Sequence, residues 1–318
     1  MSTSEQQRSG EFTYSVGECP LQGQSLATHT WTPSTPAASW RGVVVIFHGY
    51  GAHGAYPTVK FGAELLASHG FVCMSVDFLG HGGSPGLPGY IAAAEDLTSC
   101  GTEFFEHAQA THPQMRCFLM GTSMGGAIAL NVSLRVGIQC SGMVLLAPMC
   151  RIAPEAMPPA WQVPLLKAAS YLCPRWAVIP SAAADDDAQY KDAERRTACS
   201  NCPGTYTGKM RLATGYALLQ TTVVLQERLH EVNTPFFVLH GTADTIVAPD
   251  ASGELHSRAT TVDKAIKMYE GALHGLLCEE LPLRATIEDD IVAWFTSRTG
   301  LDSDNTAPMT ATVATARP

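Results

Sequence analysis

Gly121-Thr122-Ser123-Met124-Gly125 sets a serine between two glycines, directly after an apolar run at 117–120 and ahead of the helix-forming stretch Gly126-Ala127-Ile128-Ala129-Leu130. A serine hydroxyl is a weak nucleophile at neutral pH and needs activation by its surroundings. A sharp strand-to-helix turn lifts the hydroxyl clear of a sheet, and glycines beside it let the backbone pass closely. At a helix N-terminus the free N–H groups and the helix dipole favour developing negative charge. The Met124 N–H is thereby placed as one donor to an oxyanion. A second match to the pattern, Gly82-Gly83-Ser84-Pro85-Gly86, fails on physical grounds. Pro85 has no N–H to offer, and Gly/Pro-rich sequence follows in place of a helix, so Ser84 reads as a turn residue.

Such a serine needs a base, and the base needs a carboxylate to orient it. Four histidines follow Ser123 in the chain, at 230, 240, 256 and 274. His230 and His256 fall in helical stretches and read as surface residues, and His240 ends the apolar run 235–239 as a packing residue. His274 lies in the loop Glu270-Gly271-Ala272-Leu273-His274-Gly275, after a strand-like run and before the last helical stretch. A mobile imidazole is wanted in such a loop. Asp244, in His240-Gly241-Thr242-Ala243-Asp244, is the acid, in the loop after the preceding strand. Its rival Asp250 starts a helical stretch and reads as an N-cap. Further upstream, His48-Gly49-Tyr50-Gly51 ends the first strong strand, and the Tyr50 backbone N–H is assigned as the second oxyanion donor.

The elements that must position these groups alternate. Strand-like stretches at 12–15 and 26–31 precede a β-branched run at 42–47. Helix 59–69, strand 71–76, helix 91–110, strand 117–120, a helix from about 124 and strand 142–146 follow. The rhythm resumes with strand 235–239, helix 250–258, strand 265–269 and helix 287–298. Short continuous apolar runs bounded by glycine, alternating with helices, indicate βαβ units and a mostly parallel central sheet covered by helices on both faces. Residues 148–231 interrupt the pattern with proline-studded, mixed helical sequence and read as an inserted helical cap. The organisation expected is a flexible leader at 1–11, a core from 12–147 and 232–300, the cap at 148–231, and a disordered tail at 301–318.

With 46% hydrophobic and 15% charged residues, a net charge of −9 and no long basic run, the chain is a poor ligand for nucleic acid and for anionic membranes. No apolar stretch is long enough to span a bilayer. The ten cysteines do not read as a disulfide framework, because the polar start lacks a secretory h-region. Cys199 and Cys202 form one C-x-x-C without a second ligand pair, so no metal and no cofactor are expected. The sequon at Asn131 falls in a helical stretch and is discounted. A reduced, cytoplasmic protein is the expectation.

The segments HGYGAHGAYP, VDFLGHGGSPG, GTSMGGAIAL, VLLAPM, LHGTADTIV and YEGALHGLL, taken in order over residues 40–298, resemble the monoacylglycerol lipase and lysophospholipase-like branch of the α/β-hydrolases. The resemblance implies an α/β-hydrolase fold and a serine esterase with a helical cap over an apolar acyl tunnel. By motif position it implies the triad Ser123, Asp244 and His274, with Tyr50 and Met124 as backbone oxyanion donors. Three positions depart from the pattern. Thr122 stands where the family often has histidine, Ala52 and Tyr56 stand where animal lipases carry charged side chains, and Leu277 replaces another histidine. The head-group pocket is therefore less polar. Leu165, Leu166 and Leu277 are candidate substrate contacts. The expected partner is a small lipid-like ester, with peripheral membrane contact through the cap segment 161–179; the oligomeric state is left open. Ester hydrolysis leads, with another carboxylesterase, acyl transfer to an alcohol, and a slow-turnover ligand receptor as alternatives that share the same residues.

Overall fold

The computed structural model describes residues 6–8, 10–152, 157, 159–181 and 185–299. The tail expected at 301–318 and much of the leader expected at 1–11 lie outside the described residues. The chain runs through β1 (Gln6–Arg8), β2 (Phe12–Leu21), β3 (Gln24–Pro33), β4 (Gly42–Phe47), α1 (Pro57–Ser68), β5 (Phe71–Val76), α2 (Ala94–Thr111), β6 (Cys117–Thr122), α3 (Met124–Ser133) and β7 (Met143–Leu146). A long excursion follows, with α4 (Val163–Leu172), β8 (Ala177–Ile179), α5 (Asp186–Gln189), α6 (Ala193–Ser200), β9 (Met210–Arg211) and α7 (Leu212–Arg228). The chain then returns through β10 (Phe236–Gly241), α8 (Pro249–Arg258), β11 (Lys264–Tyr269) and α9 (Leu283–Thr296).

Nine strands form one sheet in the order β1-β2-β3-β5-β4-β6-β7-β10-β11. The six strands from β5 to β11 in that order are parallel, and β1, β2 and β3 extend the sheet antiparallel. Every residue of β4, β5 and β10 is buried, as a strand covered on both faces requires. Alternate side chains of β4 feed opposite cores. Val43, Val45 and Phe47 pack toward α2, α3 and α8, whereas Val44 and Ile46 pack toward α1 and α9. The loops that carry the candidate groups all leave the carboxyl ends of parallel strands, where ligands of open α/β sheets bind.

Four expectations change. The two short strands expected near the start are a long hairpin of ten-residue strands. It turns on Gln22 and Gly23, both at positive φ (51° and 70°), the combination of a tight primed turn. Part of the expected leader, Gln6–Arg8, pairs with β2, because an exposed edge strand offers a free ladder even to polar residues. Asp250 is not the cap of α8. Ala248 takes that position and Pro249 starts the helix, so Asp250 lies in the first turn and pairs with Arg151 at the surface. Within 148–231, α7 buries Ala217, Leu218 and Leu225 in the main core and packs on α2 and α3, so it is as much core as excursion. The ten cysteines are free thiols, and Asn131 is buried in α3. Among the described residues no helix is long and apolar enough to cross a membrane.

Candidate active site

Ser123 stands alone between β6 and α3 with φ 56° and ψ −120°, a backbone state that non-glycine residues adopt only when the surroundings enforce it. The enforcement is visible in its glycine neighbours. A Cβ on Gly125 would fall 2.0 Å from the Phe47 carbonyl oxygen, and one on Gly121 would fall 2.3 Å from the Gly125 carbonyl oxygen. The Ser123 N–H donates to Leu146 O at 3.1 Å, fastening the turn to β7. Met124 is the first residue of α3, so its N–H belongs to the free end of the helix.

The loop after β4 lies against this turn: a Cβ on Gly49 would be 3.6 Å from Ser123 Cβ. His48, fully buried, holds that loop. Its Nδ1–H donates to Gly49 O at 2.8 Å, and its Nε2 accepts from the Phe78 N–H at 3.2 Å. Burial above all, then the neighbouring His81, pushes its pKa down to about 3, so it is a neutral strut. The sequence does not mark His48 as a strut, because the bond that ties it across the fold runs to the backbone of Phe78, 30 positions away and just past β5.

Asp244 and His274 meet at the carboxyl ends of β10 and β11. A carboxylate only accepts, so His274 Nδ1–H donates to Asp244 Oδ2, at 2.6 Å. Asp244 Oδ1 accepts the N–H groups of Ile246 and Val247 at 2.8 and 3.0 Å. A second histidine joins them. His240 Nε2–H donates to the same Oδ2 at 3.1 Å, and Ser252 Oγ–H donates to His240 Nδ1 at 2.7 Å. His240 is thus more than the packing residue its strand-end position suggested. Burial alone would raise the Asp244 carboxyl, but the charge of His274, the two imidazole hydrogen bonds and the Val247 N–H outweigh it and hold the pKa well below the usual carboxylate range. Asp250, the rival acid, sits on the surface away from this cluster.

Ser123 and His274 both line one cavity of about 640 Å³, with Tyr50 and Thr122 beside them. No hydrogen bond joins Ser123 Oγ to His274 in this conformation among the described residues. Leu165 and Leu166 line the cavity, together with Met149, Trp161, Ile179, Leu218 and Leu219. Leu277 does not. It is buried beneath α1, in the core beside Gly62, because the short turn at 276–278 faces it inward. Ala52 and Tyr56 do line the cavity, and Tyr56 Oη lies 3.1 Å from Tyr190 Oη, which in turn donates to Gln189 Oε1 at 3.1 Å. Among the described residues no Asp, Glu, Lys or Arg lines the cavity. Ser84 is elsewhere, its hydroxyl donating to Asp77 O at 2.6 Å and accepting from the Ala27 N–H.

Residues 38–281 match the family described as serine aminopeptidase, S33. Among curated relatives, caffeoylshikimate esterase of Arabidopsis thaliana is 32% identical over 241 residues, 74% of this chain and 72% of the relative. A monoacylglycerol lipase of Mycolicibacterium smegmatis is 29% identical over 86% of this chain and 94% of its own length. Among solved structures, the monoacylglycerol lipase of Paleococcus ferrophilus superposes with a TM-score of 0.73, covering 86% of this chain and 99% of that one at 23% identity, and shares the fold. The match therefore extends from the approach to β4 through the loop that carries His274, and the chain belongs to the serine aminopeptidase S33 family of α/β-hydrolases as a monoacylglycerol lipase-like serine ester hydrolase.

Proposed function

We propose that the chain hydrolyses neutral esters of apolar acyl groups, monoacylglycerols in the first place, through an acyl-enzyme on Ser123. The observation that carries this reading is the cavity: spacious, apolar, free of charged lining residues among those described, and containing both Ser123 and His274. Burying an uncompensated charge is costly. A peptide's terminal ammonium or a lysophospholipid's phosphate would find no counter-charge there, whereas the Tyr56–Tyr190–Gln189 string offers uncharged hydrogen-bonding groups to a glycerol-like alcohol.

In the proposed reaction Ser123 Oγ attacks the ester carbonyl carbon and His274 Nε2 takes its proton. Asp244 holds the imidazole in the Nδ1–H form and stabilises its charged state. The Tyr50 and Met124 N–H groups receive the oxyanion. His274 returns the proton to the departing alcohol. Water, deprotonated by the same imidazole, then cleaves the acyl-enzyme. The segment 148–231 acts as a cap, with Leu165 and Leu166 of α4 against the acyl chain. Trp161, Tyr171, Leu172 and Trp176 are exposed on the same segment, which supports contact with a lipid surface.

The test compares turnover of monoacylglycerols of increasing chain length, a lysophospholipid of matched chain and a short aryl ester, each with Ser123→Ala as control. Preference for the long-chain monoacylglycerol supports the reading. Equal or better turnover of the lysophospholipid contradicts the neutral-head assignment, and preference for the aryl ester moves the reading to a carboxylesterase like the plant relative.

A further inference from the structure

Three free thiols meet where the excursion between β7 and β10 packs against the loop that carries His274. Cys199 lies in α6, and Cys278 closes the short turn four residues after His274. Their sulfurs are 4.0 Å apart, both buried, in a small cluster with Ala52, Tyr56 and Tyr190. Cys202, half-buried, packs against that cluster, with its sulfur 3.3 Å from His53 Nε2. Backbone bonds already couple the two segments: Asp192 N–H donates to Cys278 O at 2.9 Å, and Gly275 N–H donates to Gln189 O at 2.8 Å.

Burial pushes the thiols of Cys100, Cys140 and Cys150 up to about 12, leaving them inert. Cys199 moves the other way. The hydrogen bond from the Cys278 thiol, opposed by burial and aided by Tyr56 and Tyr190, lowers its pKa. Burial raises the Cys202 thiol as well, but Cys202 is the most accessible of the three, and it stands three residues from the more acidic Cys199, beside a third thiol on a different segment.

We propose that Cys199 and Cys278 are an oxidant-responsive dithiol, entered through Cys202, whose closure to a disulfide ties the excursion to the His274 loop and suppresses turnover. Hydrogen peroxide oxidises the Cys202 thiol to a sulfenic acid and is itself reduced to water. The Cys199 thiolate attacks that sulfur, forming a Cys199–Cys202 disulfide, and the departing hydroxide takes up the proton Cys199 gave up and leaves as a second water. Cys278 then attacks Cys199, and its proton passes to the released Cys202 thiolate. The net change is a two-electron oxidation of Cys199 and Cys278 with one peroxide consumed. A disulfide holds its sulfurs about 2.05 Å apart, so the two sulfurs must approach by about 2 Å. In the proposal the backbone takes up part of that movement, and Gly275 passes it to His274. The loss of turnover rests on the reading of His274 as the base, whereas the cross-link does not.

The test treats the full chain with hydrogen peroxide, blocks residual thiols, maps cross-linked peptides by mass spectrometry, and follows turnover of a short soluble aryl ester. A Cys199–Cys278 peptide should accumulate while turnover falls roughly tenfold or more, since a displacement of about 1 Å at a catalytic group can cost about 100-fold. Dithiothreitol should restore it. Cys278→Ser and Cys199→Ala should each keep basal turnover and resist peroxide, and Cys202→Ser should slow the cross-link. Absence of the cross-linked peptide from the treated native chain overturns the proposal, as does inactivation of Cys278→Ser or Cys199→Ala at the parent's rate. A cross-linked chain with undiminished turnover overturns the control of activity. Undiminished turnover in untreated His274→Ala would instead sink the catalytic reading while leaving the cross-link standing.

Discussion

Two buried aspartates in this molecule each bind a histidine, and only one pair faces the cavity. Asp77, just past β5, accepts from His29 Nε2–H at 3.0 Å and from the N–H groups of Gly54 and Gly83 at 2.5 and 2.7 Å. The other nitrogen of His29 accepts from Tyr14 Oη–H at 2.8 Å, so the imidazole is spent on both sides. Asp244 likewise accepts two backbone N–H groups, and two histidines, but one of these, His274, has no hydrogen-bond partner at Nε2 among the described residues and lines the cavity with Ser123. The same pair of side chains thus ties β3 to the loops after β4 and β5 in one place and, in the proposed reaction, supports proton transfer in the other. The difference is whether the second ring nitrogen has a protein partner or an open space beside Ser123.

Breaking the cavity-facing pair should have the larger effect on rate. His274→Ala should lower kcat by a factor on the order of 10⁶ with the fold retained, as loss of a triad base does. Asp244→Asn should cost about 10⁴, by presenting the wrong tautomer. Asp250→Asn, on the surface with Arg151, should change neither by more than about twofold in steady-state kinetics. A larger loss at Asp250 would move the acid assignment.

Breaking the closed pair should show in stability. His29 and the Gly83 N–H hold the Asp77 pKa down to about 2 against the opposing effect of burial, itself the largest influence. A depressed folded pKa means stability that is complete above the unfolded value near 4 and lost as pH falls through the folded one. Asp77→Asn should therefore cost about 2 to 3 kcal/mol in denaturant unfolding at pH 7, and the difference from the parent should shrink between about pH 4 and pH 2. A constant difference across that window would show that the bonds do not depend on the charge.

Two smaller effects sharpen the contrast. His240→Leu removes one donor from Asp244 and should cost about 1.5 to 3 kcal/mol of stability, the range for a hydrogen bond to a charged group, with a smaller loss of kcat than Asp244→Asn. Replacing Leu165 and Leu166 with Ser should leave turnover of a short soluble ester near the parent's and reduce that of aggregated long-chain substrate severalfold, because only acyl binding and lipid contact are touched. An equal loss on both substrates, with stability unchanged, would mean that α4 shapes the catalytic site itself.

What the sequence discloses depends on how local the cause is. Ser123 is legible because the glycines that permit its turn are its neighbours in the chain. Asp244 and His274 are legible because each sits in a loop just past an apolar strand. Asp77 and His29 are 48 positions apart, and nothing in either neighbourhood marks the pair. His240 looks like the end of a strand until the turn at 241–244 folds Asp244 back onto it. Tyr190 and Gln189 reach the cavity from an excursion whose polar, irregular sequence carries no periodicity to place them. Leu277 is a pocket candidate because it stands where the lipases it resembles carry a histidine, but the turn of backbone between it and His274 sends it into the core. The hairpin of β2 and β3 was foreshortened because Gly17 and Pro20 look like breakers, yet both sit within an antiparallel edge region that tolerates them.

The most direct measurement is the site of covalent labelling by a fluorophosphonate, read by intact mass and peptide mapping on the parent and on Ser123→Ala. One adduct per chain on Ser123, absent from Ser123→Ala and slowed strongly by His274→Ala, is the expected result. An adduct on Ser84, or undiminished labelling of Ser123→Ala, would contradict the assignment of Ser123 as the nucleophile.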